Sequence, residues 1–166
     1  SSAIKKMSAD FKRSKRQFLS EVGSDRSSQM VQSDDKTRGY FGLEPSQSPV
    51  QDIKESFEEK IQLNTRPSTT RAKNRAFYKF QIQYPSRPEI YNDDRLSLPW
   101  TAKTWVQALQ EGLGSIEKFL FKPGAGRSEL GYQIKNSINR QSEPRDGSYL
   151  DRLRSLFETK LRGGNR

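Results

Sequence analysis

The side chains that could support catalysis in this chain are carboxylates, hydroxyls, Tyr and Lys, because it contains neither His nor Cys. That removes the commonest general base, thiol nucleophiles, disulfides, most zinc sites and any cysteine-linked cofactor. Asp93-Asp94 is the most obvious acidic pair. It follows Asn92 between Pro88 and Leu96, where a turn is expected, and a solvated turn accounts for it better than a metal or acid–base site. Asp34-Asp35, in a Ser-rich stretch, reads the same way. No Ser stands in a nucleophile-elbow context. Lys122-Pro-Gly-Ala-Gly-Arg127 invites a phosphate-loop reading, yet both Gly-x-x-x-x-Gly-Lys-Ser/Thr and Gly-x-Gly-x-x-Gly are missing, and a turn is the simpler account. These residues predict no enzyme, and no catalytic or metal-ligating residue is assigned.

Charge and composition point to binding instead. The net charge is +10, and hydrophobic residues make up 31% of the 166 residues, against an apolar share of roughly 45–50% with Gly in a typical globular domain. The mean hydropathy of −0.99 agrees. A small core of about 50 residues is expected, with flanking segments that need a partner to bury their apolar stripes. Residues 1–20 hold six Lys/Arg against one acid, and residues 127–166 hold nine against five. The middle, with fifteen against fourteen, is nearly neutral. Basic arms around a neutral centre fit an acidic partner: nucleic acid, an anionic membrane or acidic proteins. No apolar run approaches the roughly 20 residues of a membrane span. The first residue is Ser rather than Met, which reads as a processed or trimmed form, and no cleavable targeting segment stands out.

The elements that would position these charges follow from periodicity. Residues 1–22 read as a basic amphipathic helical arm with Ile4, Met7, Phe11 and Phe18 near one side. Ser14 interrupts that stripe, and Lys5, Lys6, Lys12, Arg13, Lys15 and Arg16 cover much of the rest. Residues 23–47 read as an irregular linker in which Tyr40-Phe41-Gly42-Leu43 is an apolar island, fit either to dock or to pack back on the core. Over 48–73, Ser48-Pro49 starts a helix carrying Val50, Ile53, Phe57 and Ile61, with an acidic outer face. A basic connector follows, with Arg66, Arg71, Lys73 and Arg75, and Pro67 breaks any helix there.

Residues 74–123 form the central unit. In Arg75-Ala-Phe-Tyr-Lys-Phe-Gln-Ile-Gln-Tyr84, Tyr78, Phe80, Ile82 and Tyr84 alternate with polar residues, which predicts a strand with one buried face. Arg95-Leu-Ser-Leu98 offers a second strand. A helix from Pro99 carries Trp105, Ala108, Leu109 and Leu113 and ends at Gly112 and Gly114. Residues Ile116 to Lys122 read as a third strand. Residues 124–166 form a second basic arm of two helices, one capped by Ser128 with Leu130, Ile134 and Ile138, the other capped by Ser148 with Leu150, Leu153, Phe157 and Leu161. The fold class is α+β: a small three-stranded sheet with one or two packed helices, flanked by extended segments and helical arms.

The central unit resembles the small linker domain of phycobilisomes. The matching pieces are Arg75-Ala-Phe-Tyr-Lys-Phe-Gln-Ile, Leu96-Ser-Leu-Pro-Trp100, Val106 to Leu113 and Gly114-Ser-Ile-Glu-Lys-Phe119. They cover about 50 residues; the family's adjacent glycines are replaced by Gly112 and Gly114 astride Leu113. The resemblance implies a non-catalytic structural linker that organises acidic phycobiliprotein hexamers, beside other linkers, in a light-harvesting assembly. That assembly would lie on the stromal side of a plastid thylakoid or the cytoplasmic face of a cyanobacterial one. Without Cys the chain would hold no covalent bilin, but bilins of partner subunits would lie near. The partner-facing residues are then Lys5, Lys12, Arg13, Arg16, Phe18, Tyr40, Phe41, Arg71, Arg75, Tyr78, Trp100, Trp105, Arg127, Arg152 and Arg154. No small-molecule substrate is expected, and membrane contact is peripheral at most. The alternative is a basic RNA-associated protein, such as an accessory protein of an organellar ribosome, for which Phe77-Tyr78-Lys79-Phe80 would be the stacking surface.

Overall fold

The computed structural model describes residues 2–67, 78–113 and 144–163. Among them are seven α-helices and one two-stranded antiparallel sheet. The α+β class stands, but among the described residues the sheet has two strands rather than three.

Helix α1 (Ser2–Val22) buries Phe11, Ser14, Phe18 and Val22, a stripe at spacings of three and four. Ser14 does not break the stripe, because its hydroxyl donates to Lys160 O at 3.2 Å and is thereby satisfied. The face it belongs to packs on the last helix, α7 (Tyr149–Gly163), and on α4 (Pro49–Lys60). Phe18 is fully buried between them, its ring edge-on to both Phe57 and Phe157 at 5.3 Å. Edge-to-face pairs add roughly 0.5–1.5 kcal/mol each beyond burial. The two terminal helices expected as arms are therefore walls of the core. Their thin stripes are enough because each meets another thin stripe.

The run expected to be irregular contains two capped helices. Asp25 accepts from Ser27 N–H at the start of α2 (Arg26–Ser33), and Asp34 accepts from Thr37 N–H at the start of α3 (Asp35–Phe41). Gly42 closes α3 with φ of 68°, a left-handed conformation that a side chain would disfavour. Arg38 then donates to the carbonyls of Val31, Gln32, Glu44 and Gln47, tying α2 to the loop after α3. Helix α4 begins at Pro49 as expected, but Ser48 makes no side-chain cap. Gln32 takes that role, accepting the Val50 N–H at 3.1 Å.

The sheet pairs β1 (Gln62–Pro67) with β2 (Tyr78–Gln83), setting Leu63 opposite Ile82 and Thr65 opposite Phe80. The stretch expected as a polar connector thus supplies the second strand. The aromatic face of β2 is not core: Phe80 is half-buried and Ile82 is 38% exposed. Tyr84 lies past the strand and stacks on Phe157 at 5.3 Å.

Residues 95–98 form no strand. After the short helix α5 (Arg87–Tyr91), Asp93 caps a 3₁₀ turn over Asp94–Leu96, and the remaining pairing is a single bridge between Ser97 and Thr104. Leu96 and Leu98 are buried all the same. Helix α6 (Trp105–Glu111) starts six residues later than expected, at Trp105, where Thr104 accepts from Gln107 N–H. Its expected core residues Trp105, Ala108, Leu109 and the following Leu113 are all buried. The third strand at 116–122, the turn at 124–126 and the helix after Ser128 lie outside the described residues.

Candidate partner-docking groove

Along α1, Ile4, Ser8, Phe11 and Leu19 follow one another at helical spacing and line a groove of about 630 Å³. Phe11, at the edge of the packed stripe, is 8% exposed and the others are half-buried. The opposite wall is the end of α4 and strand β1, through Ile61, Leu63 and Thr65. By strand register Ile82 and Phe80 stand beside Leu63 and Thr65, so the groove's apolar floor continues across the sheet's half-exposed face.

Lys15 holds the two walls together. Its ammonium donates to Glu58 O at 2.7 Å and Ile61 O at 2.8 Å, where α4 ends and its last carbonyls lack helical partners. It also pairs with the Glu58 carboxylate at 3.5 Å, and its side chain is only 14% exposed. Lys12 and Arg16, one turn apart on the groove's rim, are exposed and paired with no acid among the described residues. Arg13 is turned to Asp10 at 2.7 Å, and Lys5, next to Ile4 in sequence, is exposed about two turns before Lys12.

The remaining expected partner residues divide by burial. Phe18, Phe41 and Trp105 are core and present no surface. Tyr40 is half-buried, edge-on to Phe41 at 5.3 Å. Trp100 is half-buried, and its indole N–H donates to Phe41 O at 2.6 Å, docking the 99–103 turn onto the end of α3. Arg154 is exposed over the Tyr84 ring at 5.8 Å and pairs with Glu158. Arg152 is committed internally, to Asp25 and Asp146. Tyr78 opens β2 opposite Pro67. Arg71, Arg75 and Arg127 lie outside the described residues. The groove therefore gathers Lys12 and Arg16, with Lys5 nearby, and leaves the others elsewhere. Lys15, Leu63 and Thr65 were not among the expected partner residues; the signal that could have found the last two is the short apolar alternation Ile61, Leu63, Thr65.

The acidic pairs are structural where they are buried. Asp93 does not sit in a solvated turn. It accepts from Ser56 Oγ at 2.5 Å and from Arg95 N–H at 3.0 Å, and pairs with Lys60. Burial pushes its carboxyl up, but the hydrogen bonds from Lys60 and Ser56 more than offset that and leave it below the usual range. Ser56 and Lys60, one turn apart, have a Ser–Lys spacing. Ser56 is fully buried and its hydroxyl donates to Asp93, while Lys60, ion-paired to the same carboxylate, donates to Ser56 Oγ at 3.1 Å. The trio ties α4 to the 93–96 turn. Asp34 and Asp35 are exposed, the former serving as the cap of α3. Among the described residues no acidic group is arranged to hold a metal ion, and no helix is long and apolar enough to cross a membrane.

No protein-family model matches the chain, and neither a curated protein nor a solved structure shows significant similarity to it.

Proposed function

We propose that this chain is a non-catalytic linker that docks onto acidic proteins. The observation that carries this reading is the groove beside α1, where Lys12 and Arg16, paired with no acid among the described residues, border apolar side chains while Lys15 braces the walls. Cations beside apolar surface bind best where a partner supplies both carboxylates and an apolar stripe, and the charge of +10 speeds such encounters. In its finer form the partners are acidic phycobiliprotein hexamers of a light-harvesting phycobilisome. The chain would then shape the surroundings of their bilins without carrying one. Trp100, half-buried at the surface, is a better pigment neighbour than Trp105, which is core.

The test is to mix the full chain with purified phycobiliprotein hexamers and follow co-elution and the visible spectrum. A coloured complex that forms at physiological salt and shifts the emission of the hexamers is expected. Failure to associate, together with tight and steeply salt-dependent binding to RNA, would replace this reading with the nucleic-acid one.

A further inference from the structure

We infer that the groove between α1 and β1 receives an amphipathic α-helix of the partner, its acidic flank against Lys12 and Arg16 and its apolar stripe against Leu19 and Leu63. The inference deepens the docking reading above, on which it rests, by assigning the site and the shape of what fills it.

Three observations select a helix. First, the α1 wall runs from Ile4 to Leu19, which at the helical rise is a trough of roughly 22 Å. A trough of that length matches about 15 helical residues, the usual geometry of a helix laid in a groove and read through anchors at i, i+3, i+4 and i+7. Second, Lys12 and Arg16 are four residues apart and exposed, so they present two cations about one helical turn apart. Carboxylates at i and i+4 on a facing helix have the same spacing, whereas a single terminal carboxylate would meet only one of them. Third, the floor is apolar and incompletely covered: Leu63 is half-buried and the neighbouring Ile82 is 38% exposed on the same sheet face. A purely polyanionic ligand would leave that surface wet.

Charge also argues against the chain filling its own groove. Residues 68–77 carry three Lys/Arg and no acid, and residues 114–143 carry five Lys/Arg against three Glu. Neither complements a basic rim. An acidic segment of another protein does.

The probe is a labelled synthetic peptide of about 15 residues, with Leu at helical anchor spacing and Glu on the adjoining positions. It is compared with a scrambled isomer, polyglutamate and oligouridylate, each titrated against the full chain by fluorescence anisotropy. The amphipathic peptide should bind at least tenfold more tightly than the scrambled isomer and gain helicity on binding. Exchanging both rim cations, Lys12→Glu with Arg16→Glu, should weaken it tenfold or more. Both residues are exposed, so the circular dichroism of the free protein should not change. Leu63→Asp should weaken it as well. Equal binding of the scrambled isomer or polyglutamate would reduce the site to a charged patch. Tighter binding of oligouridylate would make it a nucleic-acid surface. An undiminished affinity in the double rim variant would place the peptide elsewhere. Each of these overturns the inference.

Repeating the rim variant against whole phycobiliprotein hexamers separates the two proposals. Hexamer binding that survives it leaves the linker reading intact and removes the groove. Peptide binding without hexamer binding does the reverse.

Discussion

Arg152 on α7 forks onto Asp25, the N-cap of α2, with nitrogen–oxygen distances of 2.9 Å and 3.0 Å. The same guanidinium holds Asp146, which also accepts from Ser27 Oγ at 2.5 Å and from Ser148 N–H at 3.1 Å. Next to this cluster the Tyr149 and Ser28 hydroxyls pair at 2.7 Å in the interior. The C-terminal helix is thus locked to the second helix by a polar cluster, and by Phe18 and Phe157 to the first.

Removing the guanidinium tests that lock. Asp25 and Asp146 are only 13% and 12% exposed at their side chains, so each would be left partly desolvated without its cation. Arg152→Ala should therefore lower stability by about 1.5–3 kcal/mol, the range for hydrogen bonds to charged groups. Urea unfolding followed by circular dichroism measures it. A loss within about 0.5 kcal/mol, typical of an exposed surface site, would mean that the cluster contributes nothing.

The same cluster sets a pH dependence. The hydrogen bond from Arg152 holds the Asp146 carboxyl well below the usual carboxylate range, outweighing the opposing effect of burial. A carboxylate depressed in the folded state stabilises fully above its unfolded value of about 3.9 and loses that contribution as pH falls below it. Asp93, also lowered, acts in the same direction. Wild-type stability should decline from about pH 4 downward. Asp146→Asn should be the less stable protein at pH 7, and its deficit should narrow in acid. A deficit unchanged between pH 7 and pH 3 would exclude Asp146 as a source of the acid limb.

Much of the local structure was legible in the sequence, and the assembly was not. The stripes of α4, α6 and α7 follow from spacing, and Phe57, Leu109 and Leu153 are buried as their periodicity requires. In α1 Phe11 and Phe18 are buried, but Met7, expected on the same side, is 38% exposed. The capped helices at Asp25 and Asp34 were hidden by a Ser- and Gln-rich composition that outweighed two good N-caps. Alternation in Tyr78–Ile82 gave the strand but not its burial, since period two fixes which residues share a face and not what covers it. Residues 95–98 read as a strand because Leu96 and Leu98 alternate; Asp93 turned the chain by capping at Arg95 N–H. The rim cations of the groove were visible as residues. Their joining with Leu63 depends on Lys15 meeting the end of α4, a contact between positions 46 apart in sequence.

A core role for α1 makes a prediction opposite to that of a free arm. Phe18 is fully buried and contacts two aromatic rings. Phe18→Ala should cost about 3–5 kcal/mol, as large-to-small changes in packed cores do. Residues 2–22 should also resist limited proteolysis in the isolated chain. Ready cleavage within this helix, with stability unchanged by the substitution, would return α1 to the status of an arm.

The two tryptophans offer a spectroscopic check on the middle of the chain. Trp105 is 1% exposed and lies 6.0 Å from the Tyr149 ring, so its indole is shielded from solvent. Trp100 is half-buried in the 99–103 turn, anchored by its bond to Phe41 O. Trp100→Phe leaves Trp105 as the emitter, and its spectrum should be blue-shifted and resist acrylamide. Trp105→Phe leaves Trp100, which should emit further to the red and be quenched several-fold more strongly. Losing the Trp100 hydrogen bond should also cost about 1 kcal/mol, because Phe keeps the ring but cannot donate to the end of α3. If the quenching order were reversed, α6 would have to start nearer Pro99 and turn its other face inward. Leu98, Thr104 and the bridge between Ser97 and Thr104 would then lose the positions they hold here.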